Sequence, residues 1–197
     1  MTGSQASDAE LIAGLPRKPE LMGVLYERHA PAVFRYLARR AGRPVAEDLL
    51  SEVFIAALSA FPRVEAHDSG SALPWLYGIG LNVLRRHFRQ QQLTRSVTRD
   101  FAMDWEAVDD RLDAWAERRR LRAALAVLTD SDRELLLLVG WEGLSQAEAV
   151  TALGISHGAA RVRLHRARKC ALSVLEKLEH GGPDAHVTTL YAKEQAS

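Results

Sequence analysis

Apolar residues recur at helical spacing along most of this chain, and no stretch alternates as a β-strand would. From Glu20 onward, Leu21, Val24, Leu25 and Val33 recur at spacings near three and four, which predicts one amphipathic helix. Gly42-Arg43-Pro44 predicts the end of that helix, because glycine and proline both disfavour helical interiors. The pattern therefore favours an all-α fold from its first long segment.

Two further helices are predicted before a polar stretch. The first spans about 45–61, with Leu49, Val53, Phe54 and Ala57 as its apolar stripe. A turn-rich loop, 62–74, separates it from a helix that begins near Pro74 and runs into an arginine cluster. The polar residues after this helix lack periodicity, which indicates an interdomain linker.

The C-terminal half contains four predicted helices, and capping residues mark three of the starts. The first covers 111–128. Ser131 with Glu134, and Ser145 with Glu148, have the three-residue spacing of a capping box. Ser156 is the predicted cap of a long last helix that reaches about residue 178.

These elements predict two small helical domains joined by a flexible linker, the C-terminal one containing a helix-turn-helix. The predicted bounds are 20–92 for the first domain, 93–110 for the linker and 111–178 for the second domain. Residues 1–18 are predicted to be mobile and 179–197 to be a disordered tail.

Charge is segregated along the chain, although the formal net charge is only +1. Arg85 to Arg99 contains five arginines and no acid, and Arg161 to Lys169 contains five basic residues and no acid. Between them, Asp100 to Asp113 contains six acids and one arginine. Two basic blocks that flank an acidic one indicate two separate contacts with a polyanion.

Several classes of protein are disfavoured by the composition. Cys170 is the single cysteine, which excludes a disulfide framework and fits a reducing cytoplasm; a packing role for it is favoured over a redox role. The longest apolar run, Leu135 to Val139, is too short for a membrane span, so no membrane insertion is expected. No phosphate-binding glycine loop and no histidine spacing typical of metal ligands is present, so we expect neither an enzyme nor a cofactor.

Ser145 to Lys169 carries the clearest motif, a helix-turn-helix with its turn at Gly154-Ile155-Ser156. On the second helix, Ala160, Leu164, Ala167 and Ala171 share one face, which predicts burial of that side. The other faces are rich in arginine, as a recognition helix in the major groove requires. A solvated basic helix without a partner is the alternative, and five basic residues without an acid make it the weaker one.

The residues of this motif resemble the C-terminal domain of extracytoplasmic-function (ECF) sigma factors. The similar segments run 143–148, 153–156 and 163–168. The family's usual Gly-Thr-Val-Lys-Ser-Arg-Leu is Gly-Ala-Ala-Arg-Val-Arg-Leu at 158–164 here, so two hydroxyls are missing. Upstream, 46–54 resembles the family's acidic polymerase-binding helix, and 75–82 with the arginines that follow resembles its helix that reads and opens the downstream promoter element.

The resemblance implies the partners and the residues that contact them. Core RNA polymerase and promoter DNA, both duplex and opened, are the implied partners, and an anti-sigma factor is a further candidate. The 156–169 helix would read the upstream (minus-thirty-five) element, and the N-terminal domain the downstream (minus-ten) element, with a base of the opened strand held by the 62–74 loop. The minus-thirty-five candidates are Ser156, His157, Arg161, Val162, Arg163, His165, Arg166, Arg168 and Lys169; the minus-ten candidates are Asp68, Ser69, Asn82, Arg85, Arg86 and Arg89; the polymerase candidates are Glu47, Asp48, Ser51 and Glu52.

Two interpretations compete with a sigma factor. A stand-alone helix-turn-helix repressor or activator would explain 111–178 but gives 45–92 no role. A protein-interaction module would leave the basic helix unexplained. Among the aromatic residues, Trp75 and Tyr77 are predicted to lie in the core, and for Phe88 stacking on a base is as well supported as packing.

Overall fold

Eight α-helices make up the part of the chain that the computed structural model describes, residues 6–60, 70–94 and 115–180. Within these ranges there is no β-strand, in agreement with the predicted all-α class. The helices are α1 (Asp8–Gly14), α2 (Leu21–Ala41), α3 (Arg43–Ala60), α4 (Leu73–Thr94), α5 (Trp115–Ala126), α6 (Asp130–Gly140), α7 (Gln146–Leu153) and α8 (His157–His180).

Helix α1 contradicts the prediction that the N-terminus is mobile, as far as residues 6–18 are described. Ser7 caps it, with its hydroxyl accepting from the Glu10 N–H at 3.3 Å while the Glu10 carboxylate accepts from the Ser7 N–H at 2.7 Å. Leu11, Ile12 and Leu15 are buried in the core. The apolar cluster of α1 is too short to show helical periodicity in the sequence, but its burial against α2 stabilises the helix.

Helices α2, α3 and α4 pack together around the core of the N-terminal domain. The predicted stripe of α3 is confirmed, since Leu49, Val53, Phe54 and Ala57 are all buried. Gly42 ends α2 with a φ of 85°, a left-handed value that favours glycine. Helix α3 starts directly after it, because a proline, here Pro44, is tolerated in the first turn of a helix.

The C-terminal domain contains α5 to α8, and two of its three predicted caps are correct. Ser145 and Glu148 form the predicted capping box, and the Ser156 hydroxyl accepts from the Ala159 N–H at 3.2 Å. The predicted cap of α6 is wrong: Thr129 caps it instead, two residues before Ser131. Glu134 is consequently free of the cap and points into the protein.

The two domains lie directly against each other, which the sequence did not predict. Helix α4 of the N-terminal domain packs against α7 of the helix-turn-helix, and buried apolar residues of both domains form one continuous cluster. The acidic stretch 100–113, which overlaps the predicted linker and the start of the predicted second domain, lies outside the described residues. Of the helices in the described ranges, none combines the length and apolar character that a membrane span needs.

Candidate nucleic-acid interface

Helix α8 is anchored by one face and exposed on the other. Ala160, Leu164, Ala167 and Ala171 are buried, as predicted, and small residues here let α8 sit close to its neighbours. Gly154 ends α7 in the left-handed conformation with a φ of 63°, which permits the tight turn between the two helices. The anchored face fixes which side chains α8 presents to solvent.

The predicted minus-thirty-five candidates lie along that exposed surface, apart from one that is half-buried. Val162 is 65 % exposed, a position suited to apolar contact with a thymine methyl group. Arg163 is half-buried, and the Ser156 hydroxyl is engaged in capping. The remaining candidates, His157, Arg161, His165, Arg166, Arg168 and Lys169, are exposed, as is Ser156 itself.

Arg166 has a protein partner within the domain. Its guanidinium donates to the carboxylate of Asp132, which lies at the start of α6 and is buried. The other Asp132 carboxylate oxygen is buried without a hydrogen-bond partner. The ion pair ties α8 to α6 and restrains the direction in which Arg166 projects.

The basic end of α4 forms a second exposed polar surface. Asn82, Arg85, Arg86 and Arg89 are all exposed, while Phe88 is half-buried against the core cluster. The other two minus-ten candidates, Asp68 and Ser69, lie outside the described residues. Four polar side chains spaced along two turns of one helix can hold backbone phosphates and a base edge.

The aromatic residues at the start of α4 belong to the core, as predicted. Tyr77 is buried and its ring lies 4.8 Å from that of Tyr36, centroid to centroid. Burial, and then the negative charge of Glu142, raises the pKa of Tyr77 to about 12. Trp75 is half-buried and packs against the same cluster. Tyr77 therefore offers no free ring face to an unpaired base.

The acidic candidates form a surface on α3. Glu47, Asp48 and Ser51 are exposed and Glu52 is half-buried. The carboxylate of Glu52 accepts from the guanidinium of Arg86, so a polymerase candidate and a minus-ten candidate are paired with each other. Both side chains remain about half exposed, so the pair is easily exchanged for other partners.

This surface continues into two apolar residues that the sequence analysis missed. Ile55 is 63 % exposed and Leu58 is 40 % exposed. Ile55 follows Ser51 by four residues and Leu58 follows Ile55 by three, so they share one helix face. The sequence signal that could have identified them is that they are apolar residues outside the predicted apolar stripe of α3.

A buried polar cluster fixes the start of α4 to the N-terminus. The Asp8 carboxylate accepts from the Ala72 N–H at 2.8 Å, lies 2.7 Å from Nε2 of His29, and pairs with Arg28. Burial raises the pKa of Asp8, but the Ala72 N–H, Arg28 and His29 outweigh it and lower that pKa overall. Burial lowers the pKa of His29 more than Asp8 raises it.

Buried charges connect the two domains through Tyr36, Arg39, Arg40, Glu134 and Glu142, which we call the interdomain cluster. Arg40 donates to Glu134 at 3.0 and 3.3 Å and to Glu142 at 3.2 Å. The Tyr36 hydroxyl donates to Glu134 at 3.0 Å, and Arg39 pairs with Glu142. Burial, and then the charge of Glu134, raises the pKa of Tyr36 well above its usual value, so the phenol stays protonated.

Comparisons with known proteins identify both domains. Residues 25–94 match Sigma-70 region 2, and residues 118–170 match Sigma-70, region 4. The RNA polymerase sigma factor CarQ of Myxococcus xanthus is 35 % identical over 158 residues, which are 79 % of this chain and 89 % of CarQ. The ECF RNA polymerase sigma factor SigC of Mycobacterium tuberculosis is 32 % identical over 145 residues, 73 % of this chain and 77 % of SigC.

A solved structure shows the same architecture. CnrH, in complex with the cytosolic domain of CnrY, matches with a TM-score of 0.61 and 25 % identity, covering 88 % of this chain and 99 % of that one. Together, the two matched regions and these relatives favour promoter-directed initiation with core RNA polymerase over a stand-alone regulator. The chain belongs to the extracytoplasmic-function family of RNA polymerase sigma factors.

Proposed function

We propose that the two domains divide the promoter between them. The observation that supports duplex contact with the minus-thirty-five element is the arginine-rich surface of α8. This surface is exposed and lies opposite the buried alanine face of the helix. Asn82, Arg85, Arg86 and Arg89 of α4 are proposed to hold the opened minus-ten strand, together with Asp68 and Ser69 of the loop predicted from the sequence. The proposed domain bounds are those of the sequence analysis, 20–92 and 111–178, with α1 added to the first.

Strand opening requires the polymerase. Opening about ten base-pair steps costs on the order of 14 kcal/mol in stacking. Stacking one flipped base on an aromatic ring returns about 1–3 kcal/mol, and Tyr77 is already in the core while Trp75 packs half-buried against it. The chain therefore acts as an initiation factor rather than an enzyme, and it works where the polymerase is, in the cytoplasm.

The exposed α3 surface is the proposed polymerase contact. It combines the acids Glu47, Asp48 and Glu52 with Ile55, so it offers both charge and apolar area to a partner. Burying one isoleucine side chain contributes about 1.5–3 kcal/mol. Ile55→Ser should therefore weaken binding of core polymerase about tenfold to hundredfold.

The matched control for that substitution lies in the other domain. Leu172 on α8 is 56 % exposed, so Leu172→Ser removes a similar apolar side chain away from α3. It should leave polymerase affinity unchanged in the same titration. Equal loss for both variants would place the contact elsewhere.

A regulatory protein partner is also proposed. CnrH was solved with the cytosolic domain of CnrY bound. The present chain exposes Tyr26, Ile55 and Leu58 on α2 and α3, an apolar area that a protein could cover. We propose that an anti-sigma factor takes this role.

Transcription by purified core polymerase on randomised promoters tests the main proposal. Adding the protein should select templates that share two elements. A stand-alone regulator would instead bind duplex DNA without the polymerase and leave the choice of start site unchanged.

A further inference from the structure

One arginine of α8 is held by a buried carboxylate from another helix. The guanidinium of Arg166 donates through Nη2 to Asp132 on α6, and the Asp132 side chain is 5 % exposed whereas that of Arg166 is 62 % exposed. Within the described ranges, the second carboxylate oxygen of Asp132 is buried without a hydrogen-bond partner. Releasing Arg166 would therefore leave a buried charge uncompensated, which is strongly unfavourable.

The pair of Arg86 with Glu52 has the opposite balance. Their side chains are 58 and 45 % exposed, so water and salt readily replace either partner. Arg166 lacks this freedom because its partner is buried. A guanidinium has five N–H donors in a planar fork, so we expect Arg166 to keep Asp132 when DNA is bound and to reach the duplex with its remaining donors.

Arg166 lies beside a second residue suited to a base edge. It follows Val162 by four residues, so the two side chains share one face of α8. Val162 is 65 % exposed. This face therefore presents an apolar contact that suits a thymine methyl group and a donor fork that suits the O6 and N7 atoms of guanine.

A restrained arginine discriminates between bases better than a free one. A free side chain loses rotamer freedom when it orders on a base edge, which weakens binding to the matching base by roughly twofold to tenfold. A restrained side chain has already lost that freedom in the unbound protein. The gain is realised where the fork matches the base, so restraint raises discrimination as well as affinity.

We propose that Asp132 is a specificity-determining residue that positions Arg166, so that the remaining donors of the guanidinium form a fork onto one guanine of the minus-thirty-five element. Asp132 is buried and acts through Arg166 rather than by touching DNA. This inference rests on the proposed contact of α8 with duplex DNA.

Four variants of the full-length chain, each assembled with core polymerase, test this role. Asp132→Asn retains the size of the side chain and removes the charge that holds Arg166. Asp130→Asn is its matched control, because it removes the same charge from the same end of α6, where Asp130 is exposed and pairs with Arg133. Arg166→Lys keeps a positive charge without the planar fork. The double variant, Asp132→Asn with Arg166→Lys, shows whether Asp132 acts through Arg166.

The probe is a template that the parent selects from the randomised promoters, with each base pair of its upstream element then changed in turn. Competition between templates gives the preference at each base pair, and circular dichroism reports folding. Asp132→Asn should lower the preference for guanine at one base pair by about twofold to tenfold relative to Asp130→Asn. Arg166→Lys should lower it there by about fivefold to 150-fold, and the double variant should match Arg166→Lys.

Equal preferences in Asp132→Asn and Asp130→Asn would refute positioning and leave the duplex contact of α8 intact. Tighter binding of every template by Asp132→Asn than by Asp130→Asn, at unchanged preferences, would show that Asp132 withholds Arg166 from DNA and would refute it too. If the parent has no upstream preference, the proposed duplex contact fails and positioning fails with it.

A second measurement covers the case in which Asp132→Asn does not fold. In NMR spectra of the isotopically labelled parent, the side-chain signals of Arg166 are identified by their loss in Arg166→Lys. Their guanidinium rotation should be slower than that of Arg168, which is exposed on the same helix. Equal rotation of the two guanidinium groups would refute the restraint.

Discussion

At the scale of single residues, the exposed arginines of α8 are expected to play different roles in DNA binding. Arg161 and Arg168 share a face and both are exposed. If Arg161 is bidentate to guanine, Arg161→Ala loses about 1–3 kcal/mol of binding and relaxes preference at one base pair. If Arg168 holds a phosphate, Arg168→Ala weakens binding to all sequences and lowers the salt slope by about one.

Binding isotherms on minus-thirty-five duplexes at several salt concentrations separate the two roles. Lys177→Ala is a suitable control, because Lys177 is exposed on the same helix beyond the basic block. If both arginine variants bound DNA like the parent, α8 would not be the helix that contacts the duplex.

His29 gives the fold a pH dependence. Its pKa in the folded chain lies below the usual 6.5 because of burial. The unfolded chain therefore takes up this proton first as the pH falls, so stability decreases below about pH 6.5 and levels off below the folded pKa. The pKa of Asp8 is also lowered, so Asp8 adds a further loss of stability at still lower pH, below its usual pKa of 3.8.

Thermal unfolding at several pH values checks this. His29→Gln should flatten the decrease in Tm over the interval between about pH 6.5 and the lower pKa that His29 has in the folded chain. His157→Gln, an exposed substitution of the same kind, should retain the parent's slope. A parent whose Tm is constant across that interval would contradict the assignment.

At the scale of elements, α1 is expected to be an integral part of the N-terminal domain. Leu11 is 1 % exposed in the core, so Leu11→Ala should cost about 2–5 kcal/mol. Ser7→Ala removes the helix cap and should cost about 0.5–2 kcal/mol. Leu172→Ala makes the same change as Leu11→Ala at an exposed site and should be nearly neutral. Urea unfolding measures the stability of all three variants. If Leu11→Ala left the stability unchanged, α1 would not be an integral part of the domain.

Local signals predicted the elements well where they were long or capped. Periodicity gave α2, α3, α4 and α8, and the Ser145 capping box gave α7. Helix α6 was misassigned at its start because Thr129 and Ser131 are both competent caps. Spacing alone could not show that Glu134 has a tertiary partner. Helix α1 was missed although Ser7 and Glu10 have the same capping spacing, because its apolar cluster is short.

At the scale of the molecule, the interdomain contact was beyond sequence reasoning. Tyr36 and Glu134 are 98 positions apart, and Arg39 and Glu142 are 103 apart. No periodicity or composition pairs residues at that distance. The candidate residues were easier to name, because the resemblance to the sigma family pointed to segments of α3, α4 and α8, and most of these residues are exposed.

Promoter opening tests the division of labour across the whole chain. Replacing 64–69 by a Gly/Ser segment should spare polymerase binding and reduce transcription from duplex templates. Ending the exchange at 69 keeps Ala72, whose N–H binds Asp8. A template already mismatched at the minus-ten element should restore part of the activity, because the opening cost of about 1.4 kcal/mol per step is largely removed.

Permanganate footprinting shows the opening step directly. The parent should give reactive thymines on the duplex template, and the exchanged chain few. Normal opening by the exchanged chain would show that this segment does not capture the strand.

Helix α6 contributes residues to two contacts, each with a different helix. Asp132 pairs with Arg166 of α8, the proposed DNA-binding helix, and Glu134, two residues later, pairs with Arg40 of the other domain. One helix thus links the proposed promoter-binding surface to the interdomain cluster. Thermodynamic linkage is reciprocal: if domain opening changes the affinity of α8 for duplex DNA by some factor, duplex DNA changes the opening equilibrium by the same factor. The promoter would then be an allosteric effector of the chain that reads it.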